Sequence, residues 1–356
     1  MALSRRDFLD RLAFGLAFLP VLAAAPRSVL GDILFEPEGP LVPAQSLPPN
    51  PFTRDGKALV AVVHGQDPDD MLRAGLDLIG GAGRLSLRGQ RVLIKPNVVN
   101  GEPPPTTTSP RVVGAVARLA RTEGARETIV ADSSGIIRFP TADNLTATGI
   151  RAAAEAEGAR VLALEEEPWV RVEPAAASTL PHFYVSRPVY EADVFINVPV
   201  VKTHRFAHYS CSLKNLVGIT HPRYRPSVSF LAGNWHERIA ELNLAVHPRI
   251  TIADATTVMI AGGPTGGTPQ RADLLLLSGD RVALDAVALA LIRAFGAWPR
   301  VAGHALWEER QLKKAVKLGL GARGAGEMEL LPRSVAGRDA SFDRLLDVIR
   351  KDLGLT

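Results

Sequence analysis

The amino-acid sequence predicts an α/β protein: a mostly parallel, Rossmann-like sheet with helices on both faces, followed by a second α/β block. Three observations predict it. From residue 57 onward, short β-branched runs alternate with amphipathic stretches of helical period. Helix-start signals stand where several of those stretches begin. The chain of 356 residues is 46% hydrophobic and 22% charged, enough apolar material for a substantial core. At roughly 100–200 residues per domain the length accommodates about two domains or one large one, and the composition excludes disorder, collagen and coiled coil.

The first 25 residues are expected to lie outside this fold. Ser4-Arg5-Arg6-Asp7-Phe8-Leu9 precedes the apolar run 12–25 and the small residues Ala23-Ala24-Ala25, the pattern of a twin-arginine (Tat) signal for export to the periplasm. The run is shorter than the ~20 residues that span a bilayer. Pro26 disfavours cleavage after Ala25, so the cut falls elsewhere or the uncleaved segment serves as the membrane contact. Residues 26–56 carry Pro26, Pro37, Pro40, Pro43, Pro48, Pro49 and Pro51 and read as an extended arm.

Order is expected from residue 57. The first block reads as strand 59–63, helix 69–79, strand 91–94, helix 110–123 opened by Ser109-Pro110, strand 128–131, helix 144–157 and strand 160–164. The second reads as strand 194–198, helix 237–245, strands 249–253 and 274–277, and helix 283–295 starting from the Asp280 turn. A break is placed near 165–190, so that 57–297 forms the α/β domain with two subdomains. Residues 298–356 are expected to be a helical extension, with helices over 305–318 and 342–353.

Charge and cysteine content narrow the function. A net charge of +4, with 41 Lys+Arg against 37 Asp+Glu and no basic block, argues against nucleic acid as a partner. With Cys211 alone, the chain forms no internal disulfide and no iron–sulfur cluster in cis.

Four strands run into polar residues suited to ligands: 91–94 into Lys95-Pro96-Asn97, 128–131 into Asp132-Ser133-Ser134-Gly135, 195–198 into Lys202-Thr203-His204, and 250–253 into Asp254. In a parallel sheet these ends share one rim, where ligands bind, although each alone also suits a turn or cap. Between Lys202 and Arg249 the basic residues Lys202, Arg205, Lys214, Arg223, Arg225, Arg238 and Arg249 face only Glu237 and Glu241, and His204, His208, His221, His236 and His247 lie there too. That surplus suits a carboxylate or phosphate; a solvated basic face is the structural alternative. Lys214-Asn215 sits in a semi-apolar run, where a lysine is expected to need a buried partner. His204 and His208 are four apart, which with Asp132, Asp254 or Glu237 suggests a divalent metal. Gly263 and Gly266 lie in a loop that offers backbone N–H groups to an anion or simply makes a tight connection. Thr106-Thr107-Thr108-Ser109 either donates hydroxyls to an anion or caps the helix. No P-loop ending in Gly-Lys-Ser/Thr is present, and no GxGxxG follows the first strand.

Taken together, Lys95-Pro96-Asn97, the Thr-rich Ser109-Pro110 helix start, Asp132-Ser133, Asn197-Val198-Pro199-x-x-Lys202-Thr203-His204, Leu213-Lys214-Asn215-Leu216-x-Gly218, Asp254-Ala255, Gly263-Pro264-x-Gly266 and Asp280-x-x-x-x-Asp285-Ala286 resemble the domain-of-unknown-function 362 (DUF362) family over about residues 58–297. Some members of that family are fused to iron–sulfur modules and many carry export signals; this chain lacks such a module. The resemblance implies a fold and a candidate site but no reaction.

The leading expectation is an exported enzyme acting on a small anionic substrate. Lys202, His204 and Lys214 are its catalytic candidates, His204 because a reference pKa of ~6.5 lies near working pH. Lys95, Asn97, Ser133, Asn215, Gly263 and Gly266 would bind substrate, and Asp132, His204, His208 and Asp254 a metal. The alternatives are a non-catalytic periplasmic binding or accessory protein of an exported redox complex, and a His/Asp metalloprotein.

Overall fold

Buried parallel strands need apolar side chains on both faces, and the runs that meet this condition pair into one large sheet in the computed structural model, which describes residues 35–227, 233–296 and 298–355. The expected export signal at 1–25 lies outside the described residues. The strands are β1 (Leu41–Val42), β2 (Thr53–Arg54), β3 (Lys57–His64), β4 (Arg91–Pro96), β5 (Glu127–Asp132), β6 (Arg160–Ala163), β7 (Trp169–Val172), β8 (Phe183–Ser186), β9 (Val194–Val198), β10 (Val200–His204), β11 (His208–Ser210), β12 (Ile250–Ala261), β13 (Thr268–Ser278) and β14 (Met328–Ser334). The main sheet is 11-stranded, ordered β14-β3-β13-β12-β9-β4-β5-β6, with β10 on β12, β11 on β10 and β2 on β3. Along that order only β13 runs antiparallel to the rest.

Helices cover both faces. Pro68–Leu78, capped by Asp67, which accepts from the N–H groups of Asp69 and Asp70 at 3.0 and 3.2 Å, packs with Pro110–Thr122 and Ile150–Glu155 over β3, β4 and β5. On the opposite face Arg281–Phe295 is buried almost all round and lies against β12 and β13, flanked by Arg310–Lys317 and Ala340–Leu353. Asp280 starts this helix as expected, accepting from Val282 and Ala283 N–H at 2.9 Å. Truncating one of its buried leucines to Ala would cost about 2–5 kcal/mol.

Three expectations change. The helix expected over 144–157 is two, Thr141–Ala147 and Ile150–Glu155, broken at Gly149 in the left-handed region (φ 77°). The Pro-rich arm is not merely extended: β1 pairs parallel with β7 in a small β1-β7-β8 sheet, and β2 pairs with β3. The C-terminal segment is not purely helical, because β14 joins the main sheet parallel to β3; Pro332 is tolerated there because the strand is at the edge.

Register decides where the chemistry gathers. Lys95 on β4 pairs with Asn197 on β9, and Ile94 on β4 with Val130 on β5. The polar residues that follow these runs therefore emerge on one rim.

Candidate active site

At that rim the buried Lys95 ammonium bonds the Asp132 carboxylate at 2.5 Å, the Asn215 side-chain oxygen at 3.3 Å and its neighbour's carbonyl at 3.1 Å. Asp132 also accepts from the N–H groups of Val98 at 2.6 Å and Ser133 at 2.7 Å. Burial lowers the Lys95 pKa and raises that of Asp132, against their mutual attraction. Gly218 closes over this pair. A Cβ there would collide with Asp132 Oδ1 and lie 2.9 Å from Lys95 Nζ, which is why the turn carrying Lys214 needs a glycine.

Asn215 joins three elements. Its amide donates to Asn197 Oδ1 at 2.8 Å and to the Lys95 and Pro96 carbonyls at 3.3 Å, and its oxygen accepts from Asn97 at 3.0 Å. The short helix Ser212–Asn215 is held from below by Asp285, which accepts from Ser212 N–H at 2.6 Å, Leu213 N–H at 3.1 Å and the Tyr209 hydroxyl at 3.1 Å. Burial pushes the Asp285 carboxyl up to about 7.

Above this network opens a cavity of about 380 Å³, lined by Lys95, Asn97, Asp132 to Arg138, His204 to Phe206, Lys214, Asn215, Arg225, Trp235 and the Gly263 to Thr265 turn, among others. Its volume is of small-molecule size. Lys214 is half-buried, and among the described residues its ammonium has no hydrogen-bond or ion-pair partner; the buried partner expected for it is absent. Burial first, then repulsion from Lys95 and Arg225, brings its pKa down to about 8. Arg225 donates to the Ser134 carbonyl at 2.6 Å, the Ser133 hydroxyl at 2.7 Å and the Thr220 carbonyl at 2.8 Å, which fixes its guanidinium at the cavity wall.

His204 Nδ1 accepts from the N–H groups of Phe206 and Ala207, both at 3.2 Å. The ring proton therefore sits on Nε2, the nitrogen left for a ligand. Burial and the nearby Lys214 and Lys202 hold its pKa well below the ordinary value. Rather than titrating near neutral pH as expected, His204 is held neutral, with its proton on Nε2.

A family model described as "Domain of unknown function (DUF362)" matches residues 92–290, more than half of the chain. The chain belongs to the DUF362 family. It is also 31% identical over 227 residues, covering 61% of this chain and 67% of the relative, to "Thylakoid-associated protein sll1697" of Synechocystis sp.. Among solved structures, the lactate racemase apoprotein from Thermoanaerobacterium thermosaccharolyticum gives a TM-score of 0.44 at 11% identity, with 65% of this chain and 57% of that one covered.

On this DUF362 chain the cavity brings together Lys95, Asn97, Asp132, Ser133, His204, Lys214, Asn215 and Gly263. Other expected residues stand elsewhere. Lys202 is fully buried and does not line the cavity; its ammonium donates to Asn97 Oδ1 at 2.8 Å and the Thr106 carbonyl at 2.5 Å, so it holds Asn97 in place. Asp254 accepts from Ser109 N–H at 2.7 Å and from Thr256 N–H and hydroxyl at 3.0 and 2.7 Å, so it ties down the start of helix Pro110–Thr122. His208 turns away to Glu309 at 3.0 Å. The expected metal set of Asp132, His204, His208 and Asp254 is therefore not assembled. Gly266 lies outside the cavity lining at φ 63°. Gly263 (φ 77°) abuts the Thr203 carbonyl, and its own carbonyl accepts from Arg205 N–H at 3.1 Å. The Thr-rich stretch spends its hydroxyls internally, Thr107 on the Glu102 carbonyl and Thr108 on the Val198 carbonyl, both at 2.8 Å. Sequence reasoning did not single out Arg225, Phe206 and Trp235; only the basic surplus signalled the first.

Proposed function

We propose that the cavity binds a small carboxylate or phosphate and transfers a proton on it, in a protein exported by the twin-arginine route. The Lys214 ammonium carries this reading: it faces a cavity whose single lining carboxylate among the described residues, Asp132, is already engaged by Lys95. Arg225 and the exposed Arg138 and Arg205 add positive charge around it. An anion entering there meets a Lys214 ammonium already partly removed from water and an Arg225 guanidinium already fixed in place.

The same amine suits general-base chemistry. With a pKa of about 8, roughly a tenth of it is unprotonated at pH 7, and binding energy at the acidic group would orient a neighbouring C–H or O–H toward Lys214 Nζ. The His204 Nε2–H donor would polarise the oxygen on which charge develops. Lys95, Asp132, Asn97, Asn215 and Lys202 act as the rigid floor.

The test is calorimetric titration with inorganic phosphate and a panel of small carboxylates, followed by NMR of solvent-deuterium incorporation into whatever binds. Saturable binding by wild type that Lys214→Met abolishes is expected, together with exchange that needs Lys214. Binding unaffected by Lys214→Met would refute the site. Binding without exchange of any ligand proton would refute the catalytic part and leave a binding protein.

A further inference from the structure

We propose that His208, His236 and Glu309 bind a divalent transition-metal ion of the Zn²⁺ type, with His304 orienting the carboxylate. None of the four residues lines the cavity. The cluster is assembled from separate parts of the chain: the start of β11, the first turn of helix Trp235–Leu242, the loop after Ala302 and the residue that opens helix Arg310–Lys317.

The donor atoms are already close. Glu309 Oε2 stands 3.0 Å from His208 Nδ1 and 2.9 Å from His304 Nε2, and Glu309 Oε1 stands 3.4 Å from His236 Nδ1. One ligand atom from each of His208, His236 and Glu309 falls within 4.8 Å of the other two. Metal–N and metal–O bonds of ~2.0–2.1 Å in a tetrahedral site put donors about 3.3 Å apart, so small side-chain movements suffice.

Two further observations suit a cation at this place. Glu309 is fully buried, and among the described residues its ion partners are histidines, with no Lys or Arg. A buried carboxylate without a fixed positive charge is costly. In addition, His236 Nδ1 and Glu309 Oε1 are buried and make no hydrogen bond although they face each other. Buried polar atoms without a hydrogen bond are rare, and a metal bound by both would satisfy the two at once.

The rest of the surroundings agree. His208 takes a left-handed backbone conformation (φ 65°), uncommon for a non-glycine residue, and its ring packs against that of His236 with centroids 4.4 Å apart. His236 is buried, whereas the His208 and His304 side chains are 23% and 29% exposed, giving an ion a path from solvent. Two imidazoles and a carboxylate without thiolate suit Zn²⁺, Co²⁺ or Ni²⁺ rather than Ca²⁺ or Mg²⁺. Three protein donors leave a position for water, as in open zinc sites. The bond from His304 to the ligating carboxylate is the outer support such sites use.

The experiment is Co²⁺ titration of chelator-treated full-length protein, followed by visible absorption, with Zn²⁺ competition and elemental analysis of the untreated protein. One Co²⁺ per chain is expected, with the intense bands of a low-coordinate site, displaced by stoichiometric Zn²⁺. Metal at about a hundred times its dissociation constant should raise the melting temperature by roughly 3–5 °C. His236→Asn should weaken binding beyond the ~10–100-fold that loss of an outer partner costs, and His304→Gln should fall within that range. Because truncation of the buried His236 also perturbs packing, the partly exposed His208→Asn provides the second ligand deletion, checked for native circular dichroism. Lys214→Met should bind Co²⁺ like wild type, which separates this site from the cavity. Folded wild type that takes up neither metal stoichiometrically, or folded His208→Asn that binds as tightly as wild type, would overturn the assignment.

Discussion

Replacing Lys214 by Met should make the ligand-free protein more stable at neutral pH. The Lys214 amine falls from 10.5 in the unfolded chain to about 8 in the folded one, which at ~1.36 kcal/mol per pH unit is a cost of about 3 kcal/mol for keeping it charged. Below pH 8 both states carry the proton and the whole cost is present. Between about pH 8 and 10.5 the unfolded chain binds more protons than the folded one, so this residue makes stability rise with pH. Methionine has similar reach and no charge, so it keeps the aliphatic contacts and removes the cost. Urea unfolding of wild type and Lys214→Met at intervals from pH 7 to 10.5 measures the difference, in which other titrating groups cancel. The variant should be more stable by about 2–3 kcal/mol at pH 7, and the gap should close toward pH 10.5. A variant that is less stable at pH 7, or a gap that does not change with pH, would show that Lys214 has a partner in solution and that the site is not electrostatically poised for an anion.

Three more outcomes follow from the same geometry. An anion seated on Lys214 should restore the affinity of the amine for its proton, so phosphate binding near pH 8.5 should take up a fraction of a proton, read from calorimetry in buffers of different ionisation enthalpy; zero uptake would place the anion elsewhere. Gly218→Ala should destabilise by more than ~2 kcal/mol because its Cβ collides with the Lys95–Asp132 pair, whereas Gly266→Ala, with nothing within 4 Å, should cost only the ~1 kcal/mol of its positive φ; thermal melts that rank them the other way would refute the packing at Gly218. Arg225→Lys should leave the fold intact but weaken anion binding roughly tenfold, since an ammonium cannot bond the Ser133 hydroxyl and the Ser134 and Thr220 carbonyls as a fork does; unchanged affinity in the titration would remove Arg225 from the site.

How far the sequence could be read depends on the range of the forces involved. Strands β3, β4, β5 and β9 are legible because a strand buried on both faces must be a continuous apolar run, a local property. β14 is not: Met-Glu-Leu-Leu-Pro-Arg-Ser contains a proline and no alternation, and it becomes a strand only because β3 lacks a neighbour on that side. β7 and β8 are four residues each and draw on the proline-rich arm for a third strand, a pairing across more than a hundred residues. The candidate cavity was legible as strand ends sharing a rim, since parallel register alone brings Lys95, Asp132 and Asn197 together. Glu309 was not, because Glu308-Glu309 is an ordinary acidic pair at a helix start until the fold lays three histidines around the second of them.

The three lysines show why residue type and position do not assign roles. Lys95 and Lys202 on strands β4 and β10 and Lys214 on the short helix Ser212–Asn215 come close to one rim, and burial acts against the charge of each. What separates them is the group each ammonium meets. Lys95 meets a carboxylate and becomes half of an ion pair. Lys202 meets the oxygens of Asn97 and Thr106, so its hydrogen bonds fix the asparagine that in turn bonds Asn215. Lys214 meets open space. A ligand anion gains most from the third, because binding to Lys95 or Lys202 would first have to displace bonds already made, whereas at Lys214 the attraction is not offset by any broken contact. The first two lysines hold the floor rigid so that the third can remain unpaired, and the stability that Lys214→Met should recover is the measure of that arrangement.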